Sequence, residues 1–131
     1  MAGDSVSSGK YQLPESMRLK GEENYTAWKD AIENLAVSND LRKYIHEKGR
    51  APPYIDEFDD KADADDLLLW KAWAAGDSNM KLIIQLNVKT TLAQLLVGCK
   101  SAREMWTTLQ TQYEGSGTVL NYNAIETYTK I

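Results

Sequence analysis

Large apolar residues recur every three or four positions along Ser101–Tyr113, a spacing that predicts an amphipathic α-helix. The residues that would share its apolar face are Ala102, Trp106, Leu109 and Tyr113. Ser101 and Glu104 have the spacing of a capping box, in which both side chains bind free backbone N–H groups at a helix start. Gly115, within a Gly-Ser-Gly sequence, would end the helix. The segment therefore offers a docking face without an obvious catalytic group.

The same periodicity predicts further helices, whereas no stretch alternates apolar and polar residues as a β-strand would. One helix would start after Asn24, a residue favoured at N-caps. Its apolar face would consist of Tyr25, Trp28, Ile32 and Leu35. A longer helix would run from about Ala62 to Leu86 behind an acidic start, with Gly76 as a potential kink. The residues near one face of this helix would be Trp70, Trp73, Asp77, Met80 and Ile84.

Shorter helices over Leu41–Glu47 and Leu92–Val97 complete a predicted all-α, compact bundle of about five to six short helices. Residues 1–18, rich in Ser and Gly, would form a flexible N-terminal arm, and residues 19–117 the helical domain. Residues 118–131 would begin a further helix. Because that pattern reaches the last residue without a stop signal, we expect the chain to be a fragment of a longer polypeptide.

Composition narrows the classes of function. A length of 131 residues fits one domain, and a net charge of −4 disfavours direct nucleic-acid binding, which needs an excess of basic residues. The single cysteine, Cys99, rules out an intramolecular disulfide and a Cys-based zinc site within this sequence. No secretory signal is visible, and the apolar runs are too short to span a bilayer. We therefore predict a cytoplasmic protein without a membrane partner.

Candidate reactive groups are few, and the sequence predicts no enzyme, cofactor or metal site. Cys99 and His46 are a conceivable nucleophile and base, but no glycine-flanked nucleophile motif supports them. The acidic run after the Pro-Pro sequence does not fit a calcium loop, since a loop starting at Asp63 has Leu67 at a ligand position. Gly115-Ser-Gly117 lacks the Lys-Ser/Thr of a phosphate-binding loop.

A small basic cluster surrounds Tyr44 and His46, although Glu47 interrupts it. Its members are Arg42, Lys43, Lys48 and Arg50. These residues are candidates for a weak RNA contact, but a solvated helix face is favoured because phosphate-binding patches need clustering and a net basic charge.

The four tryptophans could line a ligand pocket or anchor an interface. They are Trp28, Trp70, Trp73 and Trp106. At helical spacing, aromatic residues more often belong to the core. Because Trp70 and Trp73 are three positions apart, both would lie near one face, and one of them could be partly exposed.

Three blocks of residues, each present once, have an order and spacing that resemble those of the N-terminal Gag region of copia-type LTR retrotransposons. The first block contains Gly21, Asn24, Tyr25 and Trp28. The second contains Trp73, Asp77, Met80 and Ile84. The third contains Ser101, Glu104, Trp106, Leu109 and Tyr113. The resemblance extends from about residue 19 to residue 131.

The chain departs from the family pattern in three places. Leu19 replaces an aromatic residue, Met80 replaces an alanine, and an extra glutamate lies between Gly21 and Asn24. The family's RNA-binding zinc knuckle, protease, integrase and reverse transcriptase have no counterpart in this sequence. RNA packaging and enzymatic activity are therefore not carried over.

The resemblance implies a capsid N-terminal domain that self-associates, together with other Gag regions, into cytoplasmic virus-like particles around the element's RNA. Contact with that RNA would come from regions absent here. Two other hypotheses remain open. One is a domesticated Gag-derived domain that acts as an adaptor or interferes with assembly, and the other is weak RNA binding through the basic cluster. No catalytic residue is expected under any of the three.

Overall fold

The computed structural model describes residues 11–46 and 49–114, and within them the fold is all-α, as predicted. The α-helices are α1 (Tyr25–Ser38), α2 (Ala64–Leu86), α3 (Thr90–Ala93) and α4 (Ala102–Glu114). Single 3-10 turns span Glu15–Met17, Glu22–Asn24, Arg42–Tyr44 and Gln94–Leu96. The described residues thus hold four α-helices rather than five or six, and the helix predicted from Thr118 lies outside them.

The core lies where α1, the second half of α2 and α4 meet. The buried residues of α1 are Tyr25, Trp28, Ile32 and Ala36. Those of α2 are Asp77, Met80, Ile83 and Ile84, and those of α4 are Ala102, Met105, Trp106 and Leu109. Within each helix, successive buried residues are one, three or four positions apart, so each helix has one face in the core. Burying a large apolar side chain contributes roughly 1.5–3 kcal/mol, which makes this junction the main stabilising region.

Helix α2 has 23 residues and a length of about 34 Å, so it extends beyond the core. No residue in its first half, 64–76, is fully buried. Asp63 caps its exposed start, because its Oδ1 accepts from the backbone N–H groups of Asp65 and Asp66. The helix is continuous through Gly76, where a Cβ atom would clash with the hydroxyl of Tyr44. The glycine therefore permits close packing of Tyr44 against the helix, and it does not divide the helix.

The helix predicted over Leu41–Glu47 is reduced in the described residues to the 3-10 turn Arg42–Tyr44. Asp40 has a φ of 58°, which turns the chain sharply after α1. A segment this short forms too few hydrogen bonds to offset the cost of starting a helix. Tyr44 and Ile45 are nevertheless buried, so the turn is held by its side chains.

Within residues 11–18, which belong to the predicted N-terminal arm, Tyr11 and Leu13 pack against the helical core. Leu13 is buried, and its backbone N–H donates to Asn87 Oδ1 over 2.7 Å. Leu19 is fully buried and forms a parallel β-bridge with Val88, just after α2. No β-strand accompanies this bridge in the described ranges. No helix within those ranges combines the length and hydropathy needed to cross a bilayer.

Candidate functional site

Four aromatic residues from the first and third blocks pack side by side between α1 and α4. Ring centroids are 5.2 Å apart for Tyr25 and Tyr113, 6.1 Å for Tyr25 and Trp28, and 5.9 Å for Trp28 and Trp106. We call these four residues the inner aromatic row. Trp28 is 1% exposed, and Tyr25 and Trp106 are also buried. Trp28 and Trp106 therefore belong to the core.

The backbone carbonyl of Asn87 accepts two hydrogen bonds beside the inner aromatic row. Trp28 Nε1 donates to it over 2.7 Å, and the backbone N–H of Leu19 donates over 2.9 Å. A buried indole N–H without a partner would cost free energy, so this bond lets Trp28 be buried completely. It also ties α1 to the end of α2.

The Asn87 side chain is fully buried and binds the N-terminal segment. Its Oδ1 accepts from Leu13, while its Nδ2 donates to the carbonyl oxygens of Tyr11 and Ile83, each over 2.7 Å. Sequence reasoning missed this residue. The signal was present, since Asn87 follows Ile84 by three positions and so continues the apolar face of α2 with a polar side chain.

Asp77 joins α2 to the start of α4. It is 4% exposed, and its Oδ1 accepts from the backbone N–H of Ala102 over 2.9 Å. A carboxylate at this position satisfies a free donor and matches the positive end of the helix dipole. Ser101 Oγ accepts from the N–H of Glu104, as predicted, but Glu104 Oε1 accepts from Lys100 rather than from Ser101. The predicted capping box is thus half formed, and Asp77 supplies an additional cap.

Glu114 binds Tyr25 of the inner aromatic row. Its Oε2 accepts from the Tyr25 hydroxyl over 2.6 Å and from Lys29 Nζ over 2.8 Å. Burial raises the pKa of Tyr25 far above its usual value, and the carboxylate of Glu114 raises it further. Burial also raises the pKa of Tyr113, with a smaller contribution from Glu23.

The pKa of the Glu114 carboxyl group shifts in the opposite direction from that of Tyr25. Partial burial alone would raise its pKa, but the hydrogen bonds from Lys29 and Tyr25 outweigh this and lower the pKa below its usual value. Glu114 is therefore held in its ionised form, and it makes an ion pair with Lys29.

Asn24 occupies the predicted position before α1, but its side chain does not cap that helix. Instead Oδ1 accepts from the backbone N–H of Lys20, and Nδ2 donates to the carbonyl of Arg18. Gly21 lies within this turn and accepts from the backbone N–H of Asn24 over 3.3 Å. The first block thus folds the chain onto the start of α1.

The remaining signature residues Ile84 and Leu109 are fully buried, whereas Trp73 is half-buried.

A second set of aromatic residues follows the first half of α2. Centroids are 5.8 Å apart for Tyr44 and Trp73, 5.7 Å for Trp73 and Trp70, and 5.1 Å for Trp70 and Tyr54. We call these four residues the outer aromatic row. Tyr44 is buried, the tryptophans are half-buried and Tyr54 is 71% exposed. The row therefore runs from the core to the surface.

Further exposed apolar groups occur in the residues next to Tyr54 and Trp70 in the sequence. Leu69 is 63% exposed and, with Pro52, Pro53, Ile55 and Asp66, lines a small cavity of about 100 Å³. Phe58, in the loop before α2, is 87% exposed. Exposed large apolar residues are typical of interaction surfaces where they form a contiguous patch.

The basic cluster gains a member that the sequence did not indicate. Arg42, Lys43 and Arg50 are exposed, while Lys48 lies outside the described residues. Lys43 Nζ lies 5.3 Å from the ring centroid of Tyr44. Arg103 of α4 joins this surface, because its Nη1 donates to the carbonyl of His46 over 3.0 Å. The cluster thus borders the buried end of the outer aromatic row.

Three aspartates of the acidic run before α2 accept hydrogen bonds from backbone N–H groups of nearby residues. Asp56 Oδ1 accepts from the backbone N–H of Phe58, Asp59 Oδ1 from that of Lys61, and Asp63 caps α2. Over residues 11–46 and 49–114, no group of three His, Cys, Asp or Glu residues could hold a metal ion. Cys99 Sγ lies 3.8 Å from Thr108 Oγ1.

Comparisons of the chain with protein-family models, curated proteins and solved structures gave no significant match.

Proposed function

We propose that the chain is a structural Gag or capsid module that self-associates to build cytoplasmic retrotransposon virus-like particles. One observation carries the proposal: residues of all three signature blocks bind one another within a single core. Trp28 contacts Trp106, Tyr25 contacts Tyr113, and Asp77 binds the backbone of Ala102. A shared structural task explains why these residues occur together in order and spacing.

The arrangement suits assembly more than catalysis. The buried polar side chains of Asp77 and Asn87 are used to join elements, so they hold the helices in fixed relative positions. A rigid unit loses little conformational entropy when it associates, so that weak contacts repeated over many copies can close a shell. Assembly of this kind requires no reactive group in the module.

A domesticated Gag-derived adaptor is the second candidate, and the exposed end of the outer aromatic row supports it. Tyr54 and its apolar neighbours could receive a peptide or helix from another protein. Weak RNA binding is supported only by the basic cluster, which Arg103 enlarges. A net charge of −4 opposes it.

Light scattering across a concentration series tests the proposal. The average mass of the chain should rise with concentration, and a longer Gag polypeptide containing it should form particles visible by electron microscopy. A strict monomer at millimolar concentration, together with no particles from the longer polypeptide, would contradict the proposal.

A further inference from the structure

The outer aromatic row lies between two surfaces of opposite charge. At its buried end, Lys43 contacts the ring of Tyr44. At its exposed end, Tyr54 contacts Trp70, which follows Asp66 by one helical turn. The acidic side chains within residues 56–66, interrupted by Lys61 alone among basic residues, are Asp56, Glu57, Asp59, Asp60, Asp63, Asp65 and Asp66. The surface thus changes from basic through aromatic to acidic.

Such a surface is complementary to itself. If a second copy is rotated by 180° about an axis through the aromatic centre, each basic end meets the acidic end of the other copy. The same rotation places aromatic side chains against aromatic side chains. A two-fold interface has this property, because a contact from one subunit to the other always occurs twice.

We propose that the outer aromatic row and its two charged ends form a two-fold docking surface for a second copy of this chain. The inference rests on the proposed function, since it identifies one of the contacts through which the module self-associates. Trp70, Tyr54 and Leu69 form the apolar centre. Arg42 and Lys43 of each copy face the acidic run of the other.

Charge complementarity favours a second copy over other occupants. RNA would match the basic end but would be repelled by the acidic run. A uniformly acidic or basic protein would likewise match only one end, and like charges opposite each other weaken binding. Tyrosine and tryptophan are among the residues enriched at interfaces, and they supply the apolar contact between the charged ends.

Charge reversal with rescue tests the proposal on the full chain. Arg42→Glu with Lys43→Glu should weaken self-association by about tenfold or more, because both copies then present acidic groups to acidic groups. Asp60→Lys with Asp66→Lys should also weaken it, because the net charge of residues 56–66 changes from −6 (seven acidic residues and Lys61) to −2 and attracts the basic end less strongly. An equimolar mixture of the two variants should associate more tightly than the Arg42→Glu with Lys43→Glu variant alone, because one of the two contacts then joins an unchanged basic end to an unchanged acidic run and the other opposes a less acidic run. Sedimentation equilibrium measures all three affinities.

Matched controls separate this contact from a general effect of charge. Lys20→Glu with Lys89→Glu and Glu15→Lys with Glu22→Lys change exposed residues elsewhere by the same net charge. Both controls should self-associate like the wild type. Circular dichroism and thermal unfolding verify that every variant is folded, and Asp66→Asn replaces Asp66→Lys if the latter unfolds α2.

The outcomes distinguish the two proposals. If the wild type associates but the charge-reversed variants associate equally well, or if their mixture gives no rescue, the surface is wrong while self-association stands. If the wild type does not associate at any concentration, neither the surface nor self-association of the isolated chain stands. Rescue in the mixture, combined with unchanged controls, establishes the two-fold contact.

Discussion

The inner and outer aromatic rows have nearly the same ring spacing but very different surroundings. Centroid separations are 5.2–6.1 Å in the inner row and 5.1–5.8 Å in the outer row. In the inner row, Trp28 and Tyr25 donate to Asn87 and Glu114, and both rings are buried. In the outer row, exposure increases from Tyr44 to Tyr54. Ring contact alone therefore does not identify core residues.

The difference comes from the helices that carry the two rows. Helices α1 and α4 enclose the inner row from both sides, and Asp77 and Asn87 fix the elements around it. The outer row follows the first half of α2, which extends beyond the core; among residues 11–46 and 49–114, the loop residues Pro52, Pro53 and Ile55 lie near its exposed end. Within those residues the inner row is enclosed in the core, whereas the outer row reaches the surface.

The largest expected difference between the rows is in stability. Trp28→Ala should lower the free energy of unfolding by about 3–5 kcal/mol, because it leaves a cavity and removes one of the two hydrogen bonds that the Asn87 carbonyl accepts. Trp70→Ala should lower it by less than about 1 kcal/mol, because the side chain remains half in solvent. Urea unfolding followed by circular dichroism measures both values. Equal losses would remove the distinction between the rows.

Asp77 caps the start of α4 and Asp63 caps the start of α2. The stability lost on removing each cap should differ by a smaller amount. Asp77→Ala should cost about 2–3 kcal/mol, since it removes a buried acceptor from Ala102. Asp63→Ala should cost about 1 kcal/mol, since solvent can replace that cap at the exposed start of α2.

Asp77→Asn serves as the control for this pair. Its amide oxygen can still accept from Ala102, so most of the stability should return in urea unfolding. A loss for Asp63→Ala as large as that for Asp77→Ala would show that the exposed end of α2 matters as much as the core.

The smallest expected effect is the pH dependence that Glu114, at the end of the inner row, gives to the free energy of unfolding. Because the pKa of Glu114 is lowered in the folded state, its ionised form stabilises the fold above its unfolded pKa of about 4.3. This stability is lost as pH falls through the lower folded pKa. Glu114→Gln should therefore be less stable than the wild type at pH 7 by at most about 1 kcal/mol, because the side chain is 38% exposed.

Unfolding measured at several pH values checks this prediction. The difference between the wild type and Glu114→Gln should disappear at acid pH. Glu15→Gln, which removes one carboxylate from an exposed position away from the ion pair, serves as the matched control and should be as stable as the wild type at pH 7. A constant difference between Glu114→Gln and the wild type down to acid pH would rule out the ion pair as its cause.

The three long helices were predictable because each carries its own periodic pattern, whereas the predicted short helices over Leu41–Glu47 and Leu92–Val97 differ from the turns and the short helix Thr90–Ala93 that the described residues form. Helix α4 begins beside the predicted Ser101, and α2 begins at Ala64 and ends at the predicted Leu86. The positions of Trp28 and Trp106 in the core also follow from periodicity.

Contacts between distant segments were not predictable from one sequence. The bonds of Asn87 to Tyr11, Leu13 and Trp28 join residues 59–76 positions apart. The approach of Arg103 to the basic cluster depends in the same way on how α4 packs. The sequence also could not reveal how far Trp70 and Trp73 would be covered, because that depends on how far α2 extends past its neighbours.

The Asn87 carboxamide also sets an order of events during translation. Leu13 is synthesised 74 residues before its partner Asn87, so the ribosome releases the N-terminal segment long before its binding position exists. Leu13 and Leu19 must remain uncovered in the nascent chain until the end of α2 has emerged. The first described segment to be made thus cannot reach its native position before the end of α2 has emerged, and during that interval it is open to chaperones and proteases.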